Sequence, residues 1–168
     1  MNPREFYEGV TKPNIEQAVL FFDNYRLAVN AILTIDATYG ILFDHLESVN
    51  HPYLAGVTKG KDKRCLDDAA FKDHVAGLCE SFRVLRDAAF AIKHGRLDGK
   101  KARLVSSADH IATAGVTFGE FTFNHDTFNG SAVFVEIENG ARFVRAEYLV
   151  QSVTTFTEDM LNQLVPAN

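Results

Sequence analysis

Arg83, Arg86, Asp87, Lys93 and His94 fall within twelve residues of one another, and with Arg96 they form the densest polar cluster in the chain. A histidine titrates near neutral pH and can act as general acid or base. An arginine can hold a phosphate or stabilise negative charge developing in a transition state. Arg86 and His94 together therefore have the chemistry to cleave an RNA phosphodiester without a metal, the 2′-hydroxyl serving as nucleophile. Arg83, Asp87, Lys93 and Arg96 surround them as candidate binding residues. Other chemistries lack their spacing. The six histidines include no HExxH and no Glu-x-x-His pair, so no metal is expected. Ser106, Ser107, Asp109 and His110 carry the letters of a hydrolytic triad without an elbow motif around either serine. Gly56–Lys61 is one residue short of a phosphate-binding loop, and Asp62 stands where a hydroxyl is needed. No cofactor is expected.

The cluster must be positioned by the stretch from Cys65 to Asp98. Phe71, Val75, Leu78, Phe82, Leu85, Ala89 and Ile92 recur at alternating intervals of four and three, which predicts one long amphipathic helix. Asp67 or Asp68 is placed to cap its start, and Gly95 to stop it. On a helical wheel Arg86 and Lys93 flank the apolar stripe, while Arg83, Asp87 and His94 share a second face. Arg86 and His94 stand about 80° apart, so they converge only if the helix end distorts. Arg83 and Asp87 are spaced for a surface pair one turn apart. Beside the core, Arg86 must bury its stem and pair with a carboxylate from another helix. Asp36 is the partner expected, because it falls inside an apolar face and itself needs a donor; Arg26 is the alternative donor.

Asp36 belongs to a first helical stretch over residues 14–48, where Asn14 and Gln17 resemble a capping box after an N-terminal arm. Ile15, Val19, Phe22, Val29, Leu33, Gly40 and Phe43 share one face, and a kink or break is expected near Gly40. Residues 49–65 read as a basic loop and 95–115 as a second basic connection. The period then changes to that of strands from Val116 onward. Asn139-Gly140 is a strong hairpin signal, placing Ile137 opposite Arg142, Glu136 opposite Phe143 and Val135 opposite Val144. Leu149, Val153, Phe156, Met160 and Leu164 form the face of a last helix. The fold class is therefore mainly α (α+β): a long-helix antiparallel bundle with a small antiparallel β-hairpin or sheet before the C-terminal helix. It is read as a single domain over 1–168 with the hairpin inserted at about 116–146.

With 46% hydrophobic and 23% charged residues, the composition is that of a globular protein. Cys65 and Cys79 do not make a disulfide framework, and the N-terminus carries no signal pattern, so a cytoplasmic location is expected. No apolar run suggests a membrane span. The net charge of −5 is uneven. Residues 59–103 contain 12 Lys and Arg against 7 Asp and Glu, and the remainder 5 against 15. Such a balance does not suit a general nucleic-acid coat. It does make the basic segment 93–103 a candidate contact for a protein or RNA partner. The basic and acidic parts can also face each other across a homodimer, which is the expected oligomeric state.

The run Arg86-Asp-Ala-Ala-Phe-Ala-Ile-Lys-His94 in a helical bundle resembles the HEPN-type domains, whose motif is an arginine, a polar residue, several intervening residues and a histidine. The resemblance extends loosely to the helices at 14–48 and 66–94. It implies a bacterial or phage setting and either a dimeric, metal-independent ribonuclease using Arg86 and His94, or a non-catalytic binding module. Seven residues separate Arg86 from His94, more than the usual pattern has. With the wheel angle, that spacing favours an interaction or regulatory module, the ribonuclease being the alternative.

Overall fold

A computed structural model describes residues 1–57, 67–97, 103–116, 130–138 and 140–165. The strands expected from Val116 onward fall largely outside the described residues, as do residues 58–65 of the first basic loop, residues 98–102 of the second basic connection, and Asn139.

The chain is helical almost from its start rather than from Asn14. Asn2 caps α1 (Pro3–Phe6), its side chain accepting the Arg4 and Glu5 amides. A π-turn over Tyr7–Thr11 leads directly into α2 (Lys12–Leu20). The Lys12 amide bonds the carbonyl of Tyr7, five residues back. Pro13 explains this wide turn: it has no N–H and its ring crowds the preceding turn of a regular α-helix. Asn14 is accordingly no cap; its amide donates to the Val10 carbonyl at 2.9 Å.

The break in the first helical stretch comes at residues 21–24, not at Gly40. Phe21 leaves the helical region, and Asn24 then caps α3 (Tyr25–Ser48) by accepting the Leu27 amide at 3.3 Å. The Phe22 carbonyl accepts the Val133 amide at 3.0 Å, so this connector lies beside the sheet. The interruption resets the helical phase. Val29 and Leu33, expected in the core, are only half-buried, while Leu27, Ala28, Ala31, Ile32, Ile35, Tyr39, Leu42 and Leu46 fill it. Gly40 stays helical; a Cβ there would lie 3.5 Å from Lys72 Nζ.

The stretch from 65 to 98 is likewise two helices, α4 (Asp68–Leu78) and α5 (Glu80–His94). Asp67 caps the first as expected, its carboxylate accepting the Ala70 amide at 2.7 Å. Cys79 is extended (φ −138°, ψ 109°) and ends one helix while beginning the next, its Sγ accepting the Phe82 amide at 3.4 Å. Leu78, expected on the buried stripe, is 58% exposed as a result. Phe71, Val75, Phe82, Leu85 and Ala89 are buried.

Three strands precede the last helix: β1 (Ile111–Gly115), β2 (Ser131–Ile137) and β3 (Arg142–Arg145), antiparallel in that order. The β2–β3 register is the expected one, with Val135 opposite Val144, Glu136 opposite Phe143 and Ile137 opposite Arg142. Gly140 takes a positive φ of 90° in the turn. β1 lies in the stretch expected to be a basic connection, so the sheet begins earlier than residue 116. Its short Ile-Ala-Thr-Ala-Gly run buries only Ile111 and offers little apolar alternation to read.

α6 (Ala146–Leu164) follows and buries Leu149, Val153, Met160 and Leu164. The architecture is mainly helical with a small antiparallel sheet before the C-terminal helix. α3 is the hub: it packs against α1, α2, α4, α5 and α6. The buried apolar side chains form one cluster drawn from Tyr7, from α2 to α6 and from β1 and β2. α3 is also long and apolar enough to cross a membrane by length and composition. Most of its apolar side chains are buried within this protein core, which accounts for that composition.

Candidate functional site

α4 folds back along α5, and the two helices enclose a cleft of about 270 Å³. It is lined by Asp73, Ala76 and Gly77 from α4, by Arg83, Arg86 and Asp87 from α5, and by Arg103 from the segment that follows. The methyl group of Ala76 and the absence of a side chain at Gly77 leave the cleft open on the α4 side.

Arg86 does bury its stem and pair with a carboxylate on another helix, but that carboxylate is Asp73. Its Nη1 donates to Asp73 Oδ1, and its Nη2 donates to the Ala69 carbonyl at 3.1 Å. The expected Asp36–Arg86 pair does not form. Asp36 is buried and accepts from Lys72 Nζ at 3.1 Å and Lys93 Nζ at 2.5 Å. Lys72 also lies 3.4 Å from Asp68. The requirement read for Asp36, a cation from the second helical region, is met by lysines; Arg26 is exposed and is not its donor.

Asp87 is not half of a surface pair with Arg83. It is buried, and its two oxygens accept Arg103 Nη1 at 2.6 Å and the Leu104 amide at 2.8 Å. It thereby ties the middle of the second basic connection onto α5. Arg83 is exposed, and its guanidinium has no hydrogen-bond or ion-pair partner among the described residues.

His94 is exposed at the last turn of α5 and lies outside the cleft. Among the described residues its side chain bonds no last-turn carbonyl. Its ring tilts against Phe90 with centroids 4.3 Å apart, and the Arg103 guanidinium sits 4.6 Å from the same Phe90 ring. Helix α5 is closed instead by the Gly95 amide, which bonds the Ala91 carbonyl at 2.7 Å. Arg96 is exposed just beyond. The structure therefore brings Arg83, Arg86 and Asp87 together and leaves Lys93, His94 and Arg96 on the neighbouring surface.

Three functional-site residues were not singled out from the sequence. Lys72 carried a signal, since it sits next to Phe71 and on the face of Ala76. Asp73 and Arg103 carried none, because their roles depend on how α4 and the following segment fold back.

Elsewhere, Ser107 Oγ accepts the Asp109 amide at 3.2 Å in a local turn, a capping role rather than a nucleophile's. His110 Nδ1 is buried without a hydrogen-bond partner. Among the described residues no group of three or more His, Cys, Asp or Glu side chains is placed to hold a metal ion. A larger, open groove of about 620 Å³ between α2 and α6 is lined mostly by Ile15, Val19, Leu20 and Phe22 with Thr154 and Thr155. Among the described residues Glu16 is the sole ionisable group lining it, so they offer little for chemistry there. No family model matches this chain, and comparisons with curated proteins and with solved structures returned no match.

Proposed function

We propose that this chain is a non-catalytic interaction module whose contact surface is the basic end of α5 together with the adjoining cleft. The observation that carries this reading is the separation of Arg86 from His94. Arg86 lines the cleft, whereas His94 lies outside it, on the open surface against Phe90. A general acid or base must reach the atom it protonates while the arginine reaches the phosphate. That arrangement lends more support to binding than to a HEPN-like ribonuclease.

Charge selects the partner. Lys93, His94 and Arg96 are exposed at the last turn of α5 and just beyond it, and Arg83 is exposed in its first turn, on a chain whose net charge is −5. A long polyanion such as RNA would be repelled by most of the molecule, so an acidic protein surface is the better fit. A second copy of the chain supplies such a surface, which is the basis for a homodimer. Cys79 is a free thiol, and a chain with two cysteines has no disulfide framework, which suits the cytoplasm.

Two measurements test the proposal. An RNA-cleavage time course in the presence of chelator should show no cleavage by the wild type; cleavage that vanishes in a folded His94→Ala variant would overturn the non-catalytic reading. Titration with a glutamate-rich peptide, followed by fluorescence anisotropy, should show saturable binding that weakens with salt and in Arg96→Glu. No peptide binding at low salt would remove the contact surface. For the dimer, light scattering should give twice the monomer mass at micromolar concentration.

A further inference from the structure

We infer that the cleft between α4 and α5 is a phosphoryl-binding site, taking a phosphate monoester carried by the acidic protein partner. This rests on the proposed interaction module and names what its cleft recognises.

Three guanidinium groups, those of Arg83, Arg86 and Arg103, line the cleft against two carboxylates, Asp73 and Asp87, leaving a net positive lining. The volume of about 270 Å³ equals the liquid share of about nine waters, enough for a phosphoryl group and the stem bearing it. Asp87 is buried and fully used by Arg103 and the Leu104 amide, so it is part of the frame. Asp73 differs. Its side chain is 44% exposed, and it occupies the edge of Arg86 that an incoming anion would take. It stands where a ligand oxygen would stand, as a resident competitor.

The donors that remain point to the ligand class. Each arginine has five N–H groups. Arg86 uses Nη1 and Nη2 once each, Arg103 uses Nη1 once, and Arg83 has its whole fork uncommitted among the described residues. The remaining donors belong to three separate side chains. A planar carboxylate matches one fork, whereas a tetrahedral dianion has oxygens for three. Arg83 and Arg86 are one turn apart on α5 and so flank the same space.

The test uses the full chain and isothermal titration with four probes: a glutamate-rich peptide bearing one phosphoserine, the same peptide unphosphorylated, inorganic phosphate, and adenosine monophosphate. The Arg83 side chain is exposed and has no partner among the described residues, so Arg83→Ala should melt like the wild type. The phosphopeptide should bind at least ~10-fold more tightly than its unphosphorylated form, as a charge-assisted contact warrants. Arg83→Ala should erase that difference, and Asp73→Asn should enlarge it by removing the competitor. Equal binding of both peptides would overturn the phosphoryl site while leaving the interaction module standing. If neither peptide binds, both proposals fall. Inorganic phosphate or the nucleotide binding as tightly as the phosphopeptide would assign the cleft to a free anion and overturn a protein-borne ligand.

Discussion

Asp36 is the charge on which the packing of α3 against α4 and α5 most depends, and its removal has a calculable effect. It is buried, and so is Lys72, whose side chain is 10% exposed. Lys93, the other partner, has a side chain 45% exposed. Replacing Asp36 by alanine leaves the Lys72 ammonium inside the protein with Asp68 alone, at 3.4 Å and on a side chain 53% exposed. Breaking a buried pair by removing one partner costs about 3–5 kcal/mol, because the remaining charge stays desolvated. Asp68 offsets part of that, so the expected loss is about 3 kcal/mol. Urea denaturation reads it directly. A chain of this size shifts its melting temperature by about 2–4 °C per kcal/mol, so the variant should melt roughly 6–12 °C lower. Lys93→Ala should cost under about 1 kcal/mol, because half-exposed pairs are screened by solvent. Asp36→Leu combined with Lys72→Met should recover most of the loss, since neither charge is then stranded. A loss below 1 kcal/mol in Asp36→Ala, or an equal loss in Lys93→Ala, would refute the account of a buried Asp36–Lys72 pair.

Asp87→Ala should destabilise the fold by about 3 kcal/mol and release the segment it ties to α5, read as faster hydrogen exchange at the Leu104 amide; unchanged exchange there would show that the tether lies elsewhere. Gly40→Ala should be neutral or stabilising by up to about 1 kcal/mol, because the added Cβ meets Lys72 Nζ at ordinary contact distance within a helix; a loss above 1 kcal/mol in urea denaturation would contradict that. Burial, and then the hydrogen bond to Glu158, push the Tyr7 phenol well above its ordinary value of 10.0. The folded state holds that proton more tightly than the unfolded chain, so the stability it contributes is complete below about pH 10 and declines as pH rises further. Tyr7→Phe should make the alkaline decline in melting temperature shallower; an unchanged slope would refute the assignment.

The parts of the fold governed by local pattern were legible. The β2–β3 register followed from Asn139-Gly140 and the alternation on either side. The face of α6 followed from Leu149, Val153, Met160 and Leu164. A cap at Asp67 or Asp68 and a stop at Gly95 followed from residue type alone, and the structure uses Asp67. What escaped was each place where a helix is interrupted without glycine or proline at the break. Residues 21–24 carry no such punctuation, and the phase carried across them misplaced Val29 and Leu33. β1 escaped because only Ile111 of its five residues is buried.

The break at Cys79 explains why the site escaped as well. On a straight helix Asp73 and Arg86 would stand about 20 Å apart along the axis, too far for any side chains to meet. Because Cys79 is extended, α4 turns back, and Arg86 reaches both Asp73 and the carbonyl of Ala69, seventeen positions earlier. The alternating stripe of Phe71, Val75, Phe82, Leu85 and Ala89 survives this turn because both helices bury their apolar faces in the same core. Periodicity therefore reported a face correctly while hiding that it belongs to two helices. It could identify that Asp36 and Arg86 each needed an opposite charge, because that demand is local. It could not choose the partner, because the choice is made by a single residue whose weak thiol cap begins a new helix. The cleft exists only because that cap is used.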